Sequence, residues 1–439
     1  MSHRVHSSRA ARDTSLGLYV HVPFCRSKCL YCDFCSAPPA SGEMDRFVRA
    51  LEAEIRLRAC DRPIPTLYFG GGTPSYLGIA RLQTILGAIR SAFRLQDDCE
   101  ITVEANPCDL TADWLSRCRA AGVNRLSVGV QAMRDDDLRF LGRAHSVADA
   151  VAGVQRARSA GFDNLSIDLI VGLPGHSPDA TYGRKPGDTI PVSGPVSLSG
   201  QTKTSRETSI VSPGFLRGHT PGITREILTQ AIETFRPEHL SCYQLTCAHG
   251  TPLHTAVARG QARLLDAETE SGIFFATHET CARLGYEGYE VSNFARTKAL
   301  RSRHNSAYWT HRDYLGLGPS AHSFLCPVRS WNPPSLDAYC APLERGSLPT
   351  AGSERLTPLQ LASEIILLGL RTCDGISFAA LRACGLDLLA EKASFLARAE
   401  SDGLLRLTPD GIQPTLRGMA VADQLAVDLA PEVTEAGGL

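Results

Sequence analysis

Six short, β-branched apolar runs alternate with longer amphipathic segments over roughly the first 250 residues, and this alternation constrains the fold more than any other feature. The runs Leu16–Phe24, Thr66–Gly71, Glu100–Asn106, Arg125–Gln131, Leu165–Leu173 and His239–Thr246 are 6–9 residues long, several end on Gly, Pro or Asn, and they read as strands. Between them, Glu43–Ala59 places Phe47, Leu51 and Ile55 four apart, and Ile79–Phe93 places Leu82, Ile85 and Ile89 on one helical face. Thr111–Ala121, Val147–Ala160 and Ile223–Phe235 continue the helical series. Strand and helix repeated in this way predict an α/β fold with a parallel sheet and functional groups at the C-terminal ends of the strands. Six units fall short of the eight that close a full barrel, so a partial (β/α)6 TIM-like barrel is expected.

The rhythm breaks once. Residues 176–222 span 47 positions, 26 of them Gly, Pro, Ser or Thr, with no periodic apolar face. Such composition cannot bury enough apolar surface to order itself, so the segment reads as a low-complexity insertion after the fifth strand, or as an artefact of the gene model. The chain therefore divides into a disordered tail (1–15), a core barrel (16–260, interrupted by 176–222), a barrel-completing extension (261–345) and a C-terminal domain (355–430). In the last of these, helices over Leu356–Leu370 and Leu386–Asp402 precede a hairpin-like Gly403–Gln413, an α+β pattern resembling a winged helix. It lacks the basic stripe of a recognition helix, which favours a structural or lid role.

Balanced charge, 45 Lys+Arg against 46 Asp+Glu in 439 residues, supplies no field for nucleic acid or an anionic membrane. No run approaches the ~18 apolar residues of a membrane span. Met1–Ser15 carries Arg4, Arg9, Arg12 and several Ser, which suits a plain tail or a transit peptide but not a secretory signal. The unusual count is cysteine: 15 residues, too sparse for a disulfide scaffold and rich for a large intracellular chain.

Their spacing is informative. The first strand runs into Cys25-Arg-Ser-Lys-Cys29-Leu-Tyr-Cys32, three thiols on one loop able to face a single centre. Thiolates are soft ligands suited to an iron–sulfur cluster or to zinc. Zinc would want a fourth ligand, which neighbouring Cys35 could supply, although the paired C-x-x-C units of common zinc sites are missing. Scattered cysteines such as Cys60, Cys99, Cys118 and Cys281 read as small core residues.

The C-x3-C-x2-C loop following Tyr19-Val-His-Val-Pro-Phe-Cys25 resembles the radical S-adenosylmethionine (SAM) superfamily. The resemblance implies a [4Fe–4S] cluster on Cys25, Cys29 and Cys32, with one iron left open for the amino and carboxylate groups of SAM. It further implies that Gly70-Gly71-Gly72-Thr73 meets the SAM amino group through its backbone, and that Tyr19, Tyr31, Gly71, Gly72, Thr73, Glu104, Gln131, Arg143 and Asp168 contact SAM. A zwitterionic, ribose-bearing ligand at a barrel mouth needs acceptors and one cation, and these residue types match that need.

Within the superfamily, the blocks Asn124–Gln131, Ile167–Pro174 and Tyr289–Ala295 resemble the oxygen-independent coproporphyrinogen III oxidase-like group over nearly the whole chain. In its oxidase branch a fourth Cys lies two residues after the third cluster Cys; here that position is Phe34, the pattern of the HemW-like haem-chaperone branch. His304-Asn-Ser-Ala-Tyr308-Trp309 matches that branch's block associated with haem, with His304 as a candidate axial ligand and Tyr308 and Trp309 flanking a flat porphyrin. Cys35, one residue beyond Phe34, keeps the oxidase reading alive. The resemblance thus implies a cluster-, SAM- and haem-binding chaperone that delivers haem to haemoproteins such as respiratory enzymes. The alternative is the decarboxylating oxidase of porphyrin biosynthesis. An electron donor is implied, monomer–homodimer exchange is allowed, and no catalytic residue is assigned. The expected compartment is the cytoplasm, or the mitochondrial matrix if the N-terminus is a transit peptide.

Overall fold

The computed structural model describes residues 14–176 and 218–431. The tail and most of the low-complexity segment, residues 1–13 and 177–217, lie outside the described residues.

All six anticipated strands form: β1 (Gly17–Val22), β2 (Cys60–Gly71), β3 (Phe93–Ala105), β4 (Arg125–Gln131), β5 (Leu165–Val171) and β6 (His239–Gln244). They pair in parallel in chain order, with Tyr19 opposite Tyr68, Tyr68 opposite Thr102, Thr102 opposite Arg125, Ser127 opposite Ser166 and Asp168 opposite Ser241. Successive side chains of a strand point to opposite faces, so each strand carries two sets. One set is apolar: Leu18, Val20, Val22, Phe69, Val103, Val128, Ile167 and Leu240 are all fully buried in the main core with the helices. The other set is polar and faces inward, and the site is built from it.

The covering helices are α1 (Glu43–Leu57), α2 (Ile79–Ala92), α3 (Ala112–Ala120), α4 (Val147–Ser159), α5 (Pro221–Phe235) and α6 (Ala267–Arg283). The starts of α3–α6 are fixed by side-chain caps that satisfy orphan backbone donors, whereas α1 and α2 begin at glycines, Gly42 and Gly78. Thr111 accepts from Trp114 N, Ser146 and Asp149 form a reciprocal capping box, and Asp266 accepts from Thr269 N. Thr220 caps α5, so helix begins inside the expected bounds of the low-complexity segment, and His219 is buried against Asp137 at 3.3 Å.

β2 and β3 begin earlier than apolar periodicity predicts. Cys60 pairs with Phe93 and Ile64 with Leu95, across register shifts next to Pro63 and Pro65. The sheet also grows beyond the six units. Tyr314–Leu317 adds in parallel to β1, and Asn293–Ala295 adds antiparallel to β6. Among the described residues the resulting twelve-stranded sheet runs from Gly352–Arg355 at one end to Glu287–Gly288 at the other.

One buried carboxylate pins the extension to the first helix. Glu54, fully buried, receives Arg58 Nε at 2.9 Å, Asn332 Nδ2 at 2.8 Å, Tyr339 Oη at 2.7 Å and Gly318 N at 2.9 Å. Four charge-assisted donors offset the desolvation of that charge. Further along, Ala362, Ile366, Leu381, Leu396, Ile412 and Leu425 belong to a second, separate hydrophobic core. It carries helices at Pro358–Gly369 and Leu388–Ser401 and the three-stranded sheet Ile376–Ser377, Gly411–Pro414, Leu405–Leu407. The backbone joins this unit to the barrel: Val291 N donates to Arg371 O and Cys373 N to Tyr289 O, both at 3.0 Å.

Candidate functional site

The cysteine loop leaves the C-terminal end of β1 and is held by its backbone. Ala37 N donates to Pro23 O at 3.0 Å, Cys25 N to Ala37 O at 3.2 Å, and Leu253 N to Leu30 O at 3.0 Å. Cys25, Cys29 and Cys32 are free thiols, each partly buried. Cys25 Sγ lies 3.4 Å from Thr73 Oγ1, and Arg143 Nη1 donates to Cys29 Sγ at 3.5 Å. Burial pushes the Cys32 thiol up, opposed by a backbone hydrogen bond at Phe34. Among the described residues, no three His, Cys, Asp or Glu side chains are gathered tightly enough to ligate one metal ion. A four-iron cube gives each thiolate an iron of its own and does not require that. Three soft thiols on one loop, with a guanidinium beside them, are the donor set such a cluster takes.

Glycine is obligatory beneath this loop. Gly72 N donates to Val22 O and Thr73 N to Phe24 O, each at 2.8 Å, so the segment after β2 lies flat against the root of the cysteine loop. A Cβ on Gly72 would stand 2.6 Å from Phe24 O and 2.8 Å from Val22 O. Gly71 has φ +102°, and a Cβ there would meet the His21 ring at 2.5 Å.

The polar strand faces converge on the same end. Glu104 accepts from Tyr68 Oη at 2.8 Å. Burial pushes its pKa up to about 7; the Tyr68 hydrogen bond opposes this and the Asp168 charge adds to it. A Cβ on Gly70 would sit 3.0 Å from Glu104 Oε1 and 3.1 Å from the Tyr19 ring, which shows how closely Tyr19, the glycine run and Glu104 approach. Asp168 accepts from Ser127 Oγ at 2.9 and 3.0 Å, and burial raises its carboxyl. Arg143 donates to Gly129 O at 3.1 Å and to Asn106 Oδ1, while its Nε is buried with no partner. Burial and neighbouring Cys29 push the Tyr31 phenol up. Gln131 sits at a register shift between β4 and β5 with φ 69°, a left-handed conformation rare for a side-chain-bearing residue. Cys25 with Thr73, Cys29 with Arg143 and Tyr31, and Tyr19 with Gly70–Gly72 and Glu104 are thus brought together at one end of the sheet, with Asp168 alongside.

The His304–Trp309 block folds as a short helix, α7 (Arg303–Trp309), capped by Ser302 and by the Glu100 carboxylate, which receives Arg303 N at 3.2 Å and His304 N at 3.1 Å. His304 is 2% exposed. Its Nδ1 lies 2.9 Å from Thr66 Oγ1 and its Nε2 2.9 Å from Tyr308 Oη, and its ring stacks on Tyr68 at 5.1 Å. Burial alone lowers its pKa to about 3, so the imidazole is neutral. Both ring nitrogens are therefore engaged in this conformation. Trp309 lies elsewhere, lining a cavity of about 290 Å³ together with Tyr289, His311, Ile365, Thr372 and Ser377. Phe34 is 61% exposed, and the Cys35 thiol donates to Pro334 O at 3.2 Å while its carbonyl lies 2.8 Å from His21 Nε2.

Sequence reasoning missed Tyr68, His21, Asn106, Ser127, Ser166, Ser241, His239 and Tyr289. Most of these carried a signal, a polar residue at every second position of strands otherwise read only as apolar.

Comparison with known proteins agrees with this geometry. Residues 19–181 match the radical SAM superfamily and residues 356–421 the HemN C-terminal domain. The chain is 33% identical to the heme chaperone HemW of Mycobacterium tuberculosis over 416 residues, 93% of each chain. It is 31% identical to HemW of Bacillus subtilis, covering 82% of this chain and 84% of that protein. It is also 31% identical to the radical S-adenosyl methionine domain-containing protein 1, mitochondrial, of Bos taurus, covering 95% and 88%. Among solved structures, coproporphyrinogen III oxidase (HemN) from Escherichia coli superposes with a TM-score of 0.73 at 24% identity over 95% of this chain and 90% of that one, which establishes the shared fold.

Proposed function

The chain belongs to the HemW family of the radical SAM superfamily, and from that premise we propose that it binds haem and hands it to haemoproteins. The observation that carries this reading is similarity over 93% of both chains to a protein named a heme chaperone. Phe34, an exposed aromatic where the oxidase branch has a fourth Cys, supports it.

Cys25, Cys29 and Cys32 would hold three irons of a [4Fe–4S] cluster, which when bound supplies an electron to the SAM sulfonium. The chain's own residues do the rest. Arg143 offsets thiolate charge at Cys29 through its 3.5 Å contact. Glu104 sits at the neutral-to-ionised boundary and would take the SAM ammonium, which favours its charged form. Asp168, fixed by serine hydroxyls, and the Gln131 amide offer hydrogen-bonding groups for the remaining polar atoms of SAM. Tyr19, Tyr31 and the Gly71–Thr73 backbone would wall the ligand.

Haem is cargo, placed against the His304–Trp309 block. Trp309 offers a flat wall at the cavity it lines, and His304 ligates iron only when α7 releases its hold on Thr66 or Tyr308. Acceptors of the respiratory-enzyme class, a one-electron donor and exchange between monomer and homodimer complete the reading. A reducing compartment suits the thiol set, the cytoplasm first and the mitochondrial matrix as the alternative. Among the described residues no helix is long and apolar enough to cross a membrane.

One anaerobic preparation tests the proposal. The reconstituted protein is given SAM, reductant and coproporphyrinogen III, and haem is titrated in parallel. Saturable haem binding without protoporphyrinogen is expected. Robust decarboxylation without haem binding would assign the oxidase function instead, and uptake of zinc but never iron would remove both.

A further inference from the structure

A chain of buried hydrogen bonds connects Asp168 to the segment on which the C-terminal unit is seated. Ser166 Oγ donates to Asp168 Oδ1 at 3.3 Å and lies 2.8 Å from His239 Nδ1. His239 Nε2 lies 2.8 Å from Tyr289 Oη, and that hydroxyl accepts from Ser302 N at 3.3 Å. Ser166, His239 and Tyr289 are 1%, 1% and 3% exposed, so no water competes for these bonds. At the far end, Tyr289 O accepts from Cys373 N at 3.0 Å, and the Arg301 guanidinium lies 5.2 Å from the Tyr289 ring centroid.

Two directions satisfy the inventory of donors, because the one Ser166 proton can go to Asp168 or to His239 Nδ1, and Ser241 Oγ lies 3.3 Å from the same hydroxyl. The relay takes the first: Ser166 donates to Asp168 and accepts from His239, which places the proton of the neutral imidazole on Nδ1. Nε2 is left as an acceptor, and the Tyr289 hydroxyl donates to it. We propose that Ser166, His239 and Tyr289 are positioning residues that orient the Asp168 carboxylate for SAM and couple its setting to the seating of the C-terminal unit at residues 371–373. The inference rests on the reading of Asp168 as a SAM contact.

Its test uses the full chain. In [15N]histidine NMR, with His239 assigned by His239→Gln, the resonances should report a proton on Nδ1. Tyr289→Phe keeps the ring and removes the hydroxyl, and should shift the Nε2 resonance. Ser166→Ala, an independent variant, should move the proton towards Nε2. An Nε2-protonated wild type would overturn the relay. On the cluster-loaded protein, SAM binding should weaken about three- to tenfold in Tyr289→Phe, the span of one net hydrogen bond. The Ser166→Ala, Tyr289→Phe double variant should be no weaker than Ser166→Ala alone, whereas multiplying defects would refute coupling. Asp168→Asn separates the two levels: unchanged SAM affinity there would sink the SAM-contact reading, and weakened affinity beside an unaffected Tyr289→Phe would sink the relay alone.

Discussion

Gly72→Ala is the perturbation whose cost follows most directly from geometry. The new Cβ would lie 2.6 Å from Phe24 O and 2.8 Å from Val22 O, both backbone atoms with no rotamer to yield. The end of β1 and the root of the cysteine loop must move, an overpacking cost of roughly 1–3 kcal/mol. The movement also strains two 2.8 Å backbone hydrogen bonds, Gly72 N to Val22 O and Thr73 N to Phe24 O, each worth about 0.5–1.5 kcal/mol. A loss of about 2–4 kcal/mol is expected, with reduced iron uptake because Cys25 is displaced. Gly87→Ala is the matched control. Gly87 lies within α2, a Cβ there meets nothing within 4 Å, and the helix should gain about 0.5–1 kcal/mol. Both are read from urea midpoints of the reduced apo-protein and from iron content after reconstitution. Wild-type midpoint and full iron in Gly72→Ala would refute the claim that this glycine run is packed against the cluster loop.

Other expectations follow from single side chains. Glu104 has a folded pKa of about 7, above its unfolded value of 4.5, so its stability contribution is complete below pH 4.5 and is lost as pH rises to 7. Glu104→Gln should recover about 3 kcal/mol of that loss, read as a smaller fall in denaturation midpoint between pH 5 and 8; buried Glu290, raised to about 7, and Asp168, whose carboxyl burial also raises, contribute to the slope that remains. His304 has the opposite sign: its folded pKa of about 3 lies below 6.5, so stability is complete above pH 6.5 and falls as pH drops, and His304→Gln should flatten the acid limb. Replacing Cys25, Cys29 or Cys32 with Ala should abolish cluster uptake by iron and sulfide analysis. Cys35→Ala should leave it unchanged, because that thiol is turned to Pro334 O.

The strands and main helices were legible because barrel packing imposes period two on β1–β6 and a helical period on α1–α5. What stayed hidden lay where chemistry overrides those periods. Arg303–Trp309 and Asp135–Phe140 are helices of 7 and 6 residues, too short to show a stripe, and Leu336–Glu344 contains Pro342. The cysteine triad was readable because its three thiols share one loop. The relay was not, because His239 meets Ser166 across 73 residues and Tyr289 across 50. His304 shows the limit most clearly. Its block was recognisable by resemblance to a haem-associated pattern, but the partners of its ring were not: Thr66, 238 residues away, arrives from β2 to lie 2.9 Å from Nδ1, and Tyr308 Oη lies 2.9 Å from Nε2. The alternation of polar residues along β1–β6, by contrast, was in plain view and marks a barrel interior prepared for a polar ligand.

A chain that carries haem rather than making its precursor must release it to an acceptor. That transfer is measurable: the anaerobically reconstituted protein is loaded with one equivalent of haem, mixed with an apo-haemoprotein, and the Soret spectra of donor and acceptor are followed. Saturable loading is expected, with movement of haem to the acceptor faster than from free haem adsorbed on an inert carrier. Failure to load, with coproporphyrinogen III converted to protoporphyrinogen by the same preparation, would contradict it.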